Sequence, residues 1–193
     1  METKGSGIMQ EYRKTLVRVF SFDIKFTGSK RTIFYRKLFG FSSRSKRIDR
    51  TGRERVYLQT YPGLLTQMPY LKLGKSVLAV PMATAPRLKA FFQNPAWQPI
   101  ELHAFDALLP AELKFQAMRE TVATSRVGEA TLKDEIAALR FIVEHKRVDP
   151  DVRERIRRTL RVADELMRLD WSEGREFSNE FRAQLAFLRK ALH

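Results

Sequence analysis

The side chains in this sequence with the clearest chemistry are cations that lie close together along the chain. Between Lys30 and Arg55, ten of 26 residues are lysine or arginine, and Asp49 and Glu54 are the only acids. Like charges at this density repel one another, so a ligand of opposite charge stabilises them. Nucleic acid is such a ligand, because its phosphates neutralise the cations and release counterions. We therefore predict a phosphate-binding surface here; a solvated segment without a specific ligand is the alternative.

We call residues 30–55 the basic segment. Arginine outnumbers lysine by 23 to 13 in the whole chain, and its planar fork matches phosphate oxygens better than an ammonium group does. Ten cations and one tyrosine of the segment are the candidate nucleic-acid-binding residues: Lys30, Arg31, Tyr35, Arg36, Lys37, Arg44, Lys46, Arg47, Arg50, Arg53 and Arg55.

The charge is divided unevenly between the two halves of the chain. Residues 1–100 contain 19 basic and 5 acidic residues, whereas residues 101–193 contain 17 of each. The whole formal excess of +14 therefore lies in the first half. This asymmetry predicts a basic nucleic-acid-binding domain over 1–108. A helical domain over 109–193 would mediate self-association or bind a protein partner.

The aromatic residues of the basic segment have two interpretations. On a helical wheel Phe34, Tyr35 and Phe39 fall on one arc. Lys30, Arg36 and Lys37 fall on the opposite arc, whereas Arg31 lies on the apolar side. Aromatic residues at helical spacing usually form core, which we expect for Phe34 and Phe39. Tyr35 and Phe41 are the better candidates for exposed rings that stack on the bases of a single strand.

Signatures of catalysis or metal binding are weak. His103, His145 and His193 are scattered, and cysteine is absent. The sequence contains no pair of histidines at the spacing of metal ligands. It also lacks the glycine-rich motifs of phosphate loops and dinucleotide-binding turns and the nucleophile motif of serine hydrolases. We therefore predict no cofactor and no metal site.

A metal-dependent nuclease, or another enzyme that processes nucleic acid, remains an alternative. Asp106, Glu112 and Lys114 could hold Mg²⁺ and activate water, and Asp23 would join them only through tertiary structure. However, Glu112 follows Pro110 in the first turn of a predicted helix, where the helix dipole alone favours an acid. We expect a non-enzymatic accessory or regulatory role.

Local patterns in the first half predict short strands and helices. Residues 20–27 alternate apolar and polar, which indicates a half-buried strand. A helix of about ten residues is predicted between Ser29, its N-cap, and Gly40, the residue beyond its end, and a basic hairpin follows over 41–60 with its turn at 49–52. The remaining predicted elements are a helix over 8–19, a second hairpin over 70–80, a helix over 84–94 and a strand over 100–104.

The second half has the periodicity of helices. We predict helices over 111–123, over 131–146, from Pro150 after the N-cap Asp149, and over 173–192. In the helix that begins at Pro150, Arg153, Arg157 and Arg161 are spaced so that they form one ridge. The same helix has acids at i, i+4 spacing from arginines, so we interpret the ridge as an ordinary solvated face.

The fold class predicted is α+β, with an all-helical second half. A short helix beside a basic hairpin is the geometry of a winged-helix-type module, in which the helix enters a groove and the hairpin contacts the adjacent backbone. We expect binding to nucleic acid, with duplex DNA slightly favoured over RNA. An interaction subunit of a replication or ribonucleoprotein assembly is a further alternative.

The sequence also predicts where the protein is located. The chain has no apolar leader at its N-terminus, and its longest uncharged run contains prolines. We therefore expect it to be cytoplasmic or nucleoid-associated, without a membrane partner.

Overall fold

A computed structural model describes residues 16–48, 52–145 and 148–192, and it confirms a mixed α+β fold. The first half contains, in chain order, β1 (Leu16–Ile24), α1 (Gly28–Phe39), β2 (Phe41–Ile48), β3 (Glu54–Tyr61), β4 (Leu71–Gly74), β5 (Val77–Pro81), α2 (Ala85–Phe92) and β6 (Ile100–Leu108). Short 3₁₀ turns at Leu64–Gln67 and Pro95–Trp97 lie between these elements. Both predicted hairpins and both predicted helices from 29 to 94 are thereby confirmed.

Four antiparallel strands in the order β4-β5-β1-β6 form the central sheet. Successive side chains of β1 point to opposite faces. Val17 and Val19 therefore pack in one hydrophobic cluster, and Phe20 and Phe22 pack in another. Both faces of the sheet are covered, so the sheet is the middle layer of the fold.

The N-terminal part of the sequence prediction is partly wrong. The strand begins at Leu16 rather than at Phe20 and ends at Ile24, so residues 16–19, the end of the helix predicted over 8–19, are extended. The rest of that predicted helix lies outside the described residues. The strand continues toward the N-terminus beyond the alternating residues because the sheet buries side chains on both faces.

Aromatic side chains dominate the layer between the sheet and α1. Phe34 and Leu38 of α1 are fully buried and meet Phe22, Leu88 and Phe92. Thr27, and not Ser29, occupies the N-cap position of α1, and it makes no side-chain capping hydrogen bond. Tertiary burial, more than capping, therefore holds this helix in place.

The second half is mainly helical. Its elements are α3 (Ala111–Thr124), β7 (Arg126–Val127), β8 (Ala130–Thr131), α4 (Leu132–His145), α5 (Pro150–Arg168), a 3₁₀ turn (Glu173–Arg175), α6 (Glu176–Gln184) and α7 (Ala186–Lys190). The small hairpin β7-β8 means that this half is not all-helical. At the start of α5, the backbone N–H of Val152 donates to the Asp149 side chain at 2.8 Å, which confirms the predicted N-cap.

The single helix predicted over 173–192 is wrong. Gly174 and Arg175 both have positive φ, 54° and 58°, so the chain cannot continue as one right-handed helix. A further break at Leu185 separates α6 from α7. Apolar periodicity alone does not reveal these breaks.

The two halves share one hydrophobic core. Val17, Val19 and Ala79 of the sheet belong to the same cluster as Leu139 and Phe181 of the helical half. The division at residue 108 stays a prediction, but the packing is continuous across it. Among the described residues, no helix combines the length and the apolar character needed to cross a bilayer.

Candidate nucleic-acid interface

One face of α1 is buried in the aromatic layer, and the opposite face is cationic and exposed. Lys30, Arg31, Arg36 and Lys37 are all exposed, and Ile33 lies among them with 47% of its surface accessible. The structure therefore confirms the division of this helix into an apolar face and a basic face.

The hairpin β2-β3 projects from the body of the protein. From Ser42 to Ile48 every residue of β2 is exposed, and Arg44, Lys46, Arg47 and Arg53 are exposed with them. The hairpin begins directly after Gly40 at the end of α1, and the Arg36 guanidinium contacts the Phe41 ring at its base. Arg55 is placed on β3 opposite Arg47 by the backbone register, and the prediction for Arg50 lies outside the described residues.

Two glycines fix the hairpin to the end of α1. Gly40 has φ 77°, and a Cβ on it would lie 2.7 Å from the carbonyl oxygen of Tyr61. A Cβ on Gly63 would lie 2.5 Å from the carbonyl carbon of Phe39. Both distances are below any real contact, so the backbones pack together only because neither residue has a side chain. The orientation of the hairpin relative to the helix is therefore set by backbone contact.

A stack of side chains lies at this junction. The Phe41 and Tyr61 rings, paired across the hairpin, are nearly parallel with their centroids 4.5 Å apart. The guanidinium carbon of Arg36 lies 4.6 Å from the Phe41 centroid, within the range of a cation–π contact. Phe41 is half-buried, whereas Tyr61 is 40% exposed. The accessible ring of the stack is thus Tyr61 and not Phe41.

The other candidate ring, Tyr35, is also held by neighbours. It is half-buried, meets Phe34 edge to face at 5.3 Å and stacks at 6.1 Å on Phe39. The predicted core positions of Phe34 and Phe39 are confirmed in this layer, with Phe34 fully buried and Phe39 half-buried. The guanidinium carbon of Arg31 lies 5.9 Å from the centroid of the Tyr35 ring.

Lys30 and Lys46 contact oxygen atoms of the protein. The Lys30 ammonium donates to the Gln98 carbonyl at 2.9 Å, and Lys46 lies 2.7 Å from Glu54. Both side chains of the Lys46–Glu54 pair are more than half exposed, so solvent screens the attraction between them. Within the part of the chain that the structure describes, Lys37 and Arg44 are exposed and make no ion pair.

Sequence reasoning missed two residues of this surface. Tyr61 faces Phe41 through the register of the hairpin, whereas the predicted turn at 49–52 would have placed Thr60 opposite Phe41. Lys72 on β4 lies with its ammonium 5.6 Å from the centroid of Phe39 and extends the basic face beyond the segment. Only the tertiary structure brings Lys72 there, so no local pattern indicated it.

Asp106 and Asp23, two of the acids considered for a nuclease site, form ion pairs with basic residues. Asp106 pairs with Arg18 at 2.6 Å, and Asp23 pairs with Lys25 at 2.7 Å. The hydrogen bonds that the Lys25 ammonium donates to Asp23 and then to Glu101 raise the pKa of Lys25 above its ordinary value. In residues 16–48, 52–145 and 148–192, no group of three histidine, aspartate or glutamate side chains could hold a metal ion.

Lys114, the third member of that pattern, is buried. Its side chain is 1% exposed, and its ammonium lies 3.2 Å from Glu173. The Trp171 indole donates to its backbone carbonyl at 2.9 Å. These contacts link α3 to the segment before α6, so Lys114 has a structural role.

The arginines of α5 are mostly paired with acids or exposed. Arg155 forms a double hydrogen bond with Glu135, at 3.0 Å for each contact, and this contact raises the pKa of Arg155 above its ordinary value. Arg157 lies 3.5 Å from Glu154. Arg157 of the ridge is exposed and has an acid partner on its own helix, as an ordinary solvated face would have, whereas Arg155 pairs with Glu135 of α4.

Comparison of the chain with protein-family models, with curated proteins and with solved structures finds no match in any of the three.

Proposed function

We propose that this protein binds nucleic acid through phosphate contacts made by the exposed face of α1 and by the hairpin β2-β3. One observation supports the proposal most directly: a hairpin rich in exposed cations packs closely, through Gly40 and Gly63, against the end of a helix whose exposed face is also cationic. Such a surface repels itself until phosphates neutralise it. The role is that of a non-enzymatic accessory or regulatory protein.

The docking that we propose is winged-helix-like. The exposed face of α1, with Ile33 and Lys37 at its centre, would lie in a groove of duplex DNA, and the hairpin would contact the adjacent backbone. Rigid attachment of the hairpin at Gly40 and Gly63 supports this arrangement, because the helix and the hairpin would then meet the duplex in one fixed geometry. The helical half would mediate self-association or hold a protein partner.

A binding titration tests the proposal. The affinities of the purified protein for duplex DNA, single-stranded DNA and structured RNA are measured at several salt concentrations, by the anisotropy of a labelled strand. We expect measurable binding that weakens steeply with salt. A variant with Arg44, Lys46, Arg47 and Arg50 all changed to alanine should bind about tenfold more weakly or worse.

The control carries the same number of charge changes on another surface. Changing Arg153, Arg157, Arg161 and Arg182 to alanine removes four exposed arginines from the helical half and should leave the affinity close to that of the parent. Equal binding by the hairpin variant and the parent would overturn the site. Cleavage of the strands in Mg²⁺ or Mn²⁺ would instead support the nuclease alternative.

A further inference from the structure

A cleft lies where the first half of the protein meets the second. Its volume is about 540 Å³. Arg87 of α2 lines it from one side, and Arg126 of β7 and Arg168 of α5 line it from the other. One carboxylate, Glu165, lies among these three arginines. The cleft is lined by more positive than negative side chains, and it is separate from the exposed face of α1.

The arginines of this cleft retain donors for a ligand. The Arg87 guanidinium donates to the Gln67 side chain at 2.5 Å, and that of Arg126 donates to the Glu129 carbonyl. Each guanidinium has five N–H donors, so most of them are left over. Within the described residues, neither these two arginines nor Arg168 makes an ion pair. An anion in the cleft would therefore not have to displace a carboxylate.

The wall of the cleft is apolar. Val162, Leu166 and Leu169 lie beside the arginines. A pocket of this volume that combines apolar walls with a few convergent polar groups is typical of sites for small organic ligands. A flat ring attached to a phosphate group matches both features, with the phosphate at the arginines and the ring against the aliphatic side chains.

The cleft adjoins the base of the hairpin along the chain. Pro62 lines the cleft, and it directly follows Tyr61, the exposed ring at the base of the hairpin.

We propose that this cleft binds one unpaired nucleotide of the nucleic acid, with its phosphate held by Arg87, Arg126 and Arg168 and its base against Leu166 and Leu169. The inference rests on the proposed function and deepens it. The protein would prefer a duplex with a single-stranded overhang to a blunt duplex of the same length.

The test compares a blunt duplex with the same duplex bearing a short single-stranded overhang, on the full-length protein. We expect the overhang to increase the affinity. Arg168→Gln should lower the affinity for the overhang substrate by about tenfold, the effect of removing one charge-assisted hydrogen bond, and leave the affinity for the blunt duplex unchanged. Arg126→Gln should act in the same way. Arg182→Gln, an exposed arginine of α6 that lies outside the cleft, is the matched control and should change neither affinity.

The results of this comparison separate the two proposals. Two results would overturn the cleft site and leave the proposed function standing. The first is that the parent binds the blunt and overhang substrates equally well, and the second is that Arg168→Gln loses affinity equally for both. Failure of the parent to bind any nucleic acid would overturn both. Thermal unfolding of each variant shows whether a loss of affinity comes from the cleft or from a less stable fold. If Arg168→Gln does not fold, the affinities of Arg126→Gln test the cleft site instead.

Discussion

The ring of Tyr61 lies parallel to that of Phe41, at 13° between planes and 4.5 Å between centroids. The guanidinium of Arg36 packs over the same Phe41 ring, so Phe41 is occupied by two groups of the protein itself. Tyr61 is the member of the stack that keeps an accessible surface. The stack joins α1 to the base of the hairpin and ends in a ring on which a base could stack.

We expect Tyr61→Ala to weaken binding to single-stranded DNA by about 5- to 100-fold, because stacking of one base on an aromatic ring contributes about 1–3 kcal/mol. Tyr61→Phe keeps the ring and should bind nearly as the parent does. The affinities are measured by the anisotropy of a labelled strand. Equal losses in the two variants would assign the effect to the hydroxyl group and contradict stacking.

Lys37 and Arg44 should each neutralise about one phosphate. For duplex DNA, the slope of log affinity against log salt changes by about 0.9 for each phosphate that the protein neutralises. The variant Lys37→Gln/Arg44→Gln should therefore have a slope shallower than that of the parent by about 1.8. The pair Arg153→Gln/Arg182→Gln removes the same charge from the helical half and should keep the parental slope. An unchanged slope in the first variant would show that these two side chains do not bind phosphates.

The sequence predicted the elements of the interface better than their arrangement. The alternation around Phe22 and the helical spacing of Phe34 and Leu38 identify buried faces, because burial imposes those periods directly. The partnership of Phe41 with Tyr61 depends on the register of a hairpin, and the meeting of Arg87 with Arg168 depends on how the two halves pack. Neither is encoded in a local pattern. The positive φ of Arg175 likewise leaves no trace in the apolar periodicity of the last helices.

Phe34 should be the side chain of α1 that contributes most to stability. It is fully buried, and the rings of Phe22, Phe26, Tyr35, Phe91, Phe92 and Trp97 lie within about 6 Å of its own. We expect Phe34→Ala to lower the free energy of unfolding by about 3–5 kcal/mol, because it leaves a cavity that the neighbours fill only in part. Ile33→Ala, on the exposed face of the same helix, should change it by less than about 1 kcal/mol. Urea denaturation measures both values, and similar losses would contradict the assignment of the two faces.

Ionisation of the Tyr70 hydroxyl group should lower the stability of the protein at alkaline pH. Burial of its hydroxyl group, and then the charge of Glu120, raise the pKa of Tyr70 above its ordinary value of 10.0. A pKa raised in the folded state means that the neutral form is favoured there. The resulting stability is fully present below about pH 10 and is lost as the pH rises through the folded value.

The measurement is urea denaturation at pH 8 and at successive values above pH 10. Tyr70→Phe should show a shallower loss of stability with rising pH than the parent, because its ring cannot ionise. Tyr61→Phe, at a tyrosine that is 40% exposed, is the matched control for removal of a hydroxyl group. An identical alkaline loss in Tyr70→Phe and the parent would contradict the role of Tyr70.

Gly63→Ala should test the junction on which the whole interface depends. A methyl group at Gly63 would lie 2.5 Å from the carbonyl carbon of Phe39 and 2.7 Å from the carbonyl oxygen of Leu38. Both are backbone atoms, so they cannot turn away as a flexible side chain could. We expect a loss of about 1–3 kcal/mol in the free energy of unfolding, typical of overpacking. A weaker affinity for nucleic acid should accompany it, because the hairpin must shift relative to α1.

Gly74→Ala is the matched control for this substitution. Its new methyl group would meet only the Val77 side chain, at an ordinary distance of 3.6 Å. Alanine restricts the unfolded chain more than glycine does, so this variant should be as stable as the parent or more stable by about 0.4–1 kcal/mol. If Gly63→Ala keeps the parental stability and affinity, the hairpin is not held by backbone contact with α1. The helix and hairpin would then not form one rigid binding surface, and winged-helix-like docking would lose its structural basis.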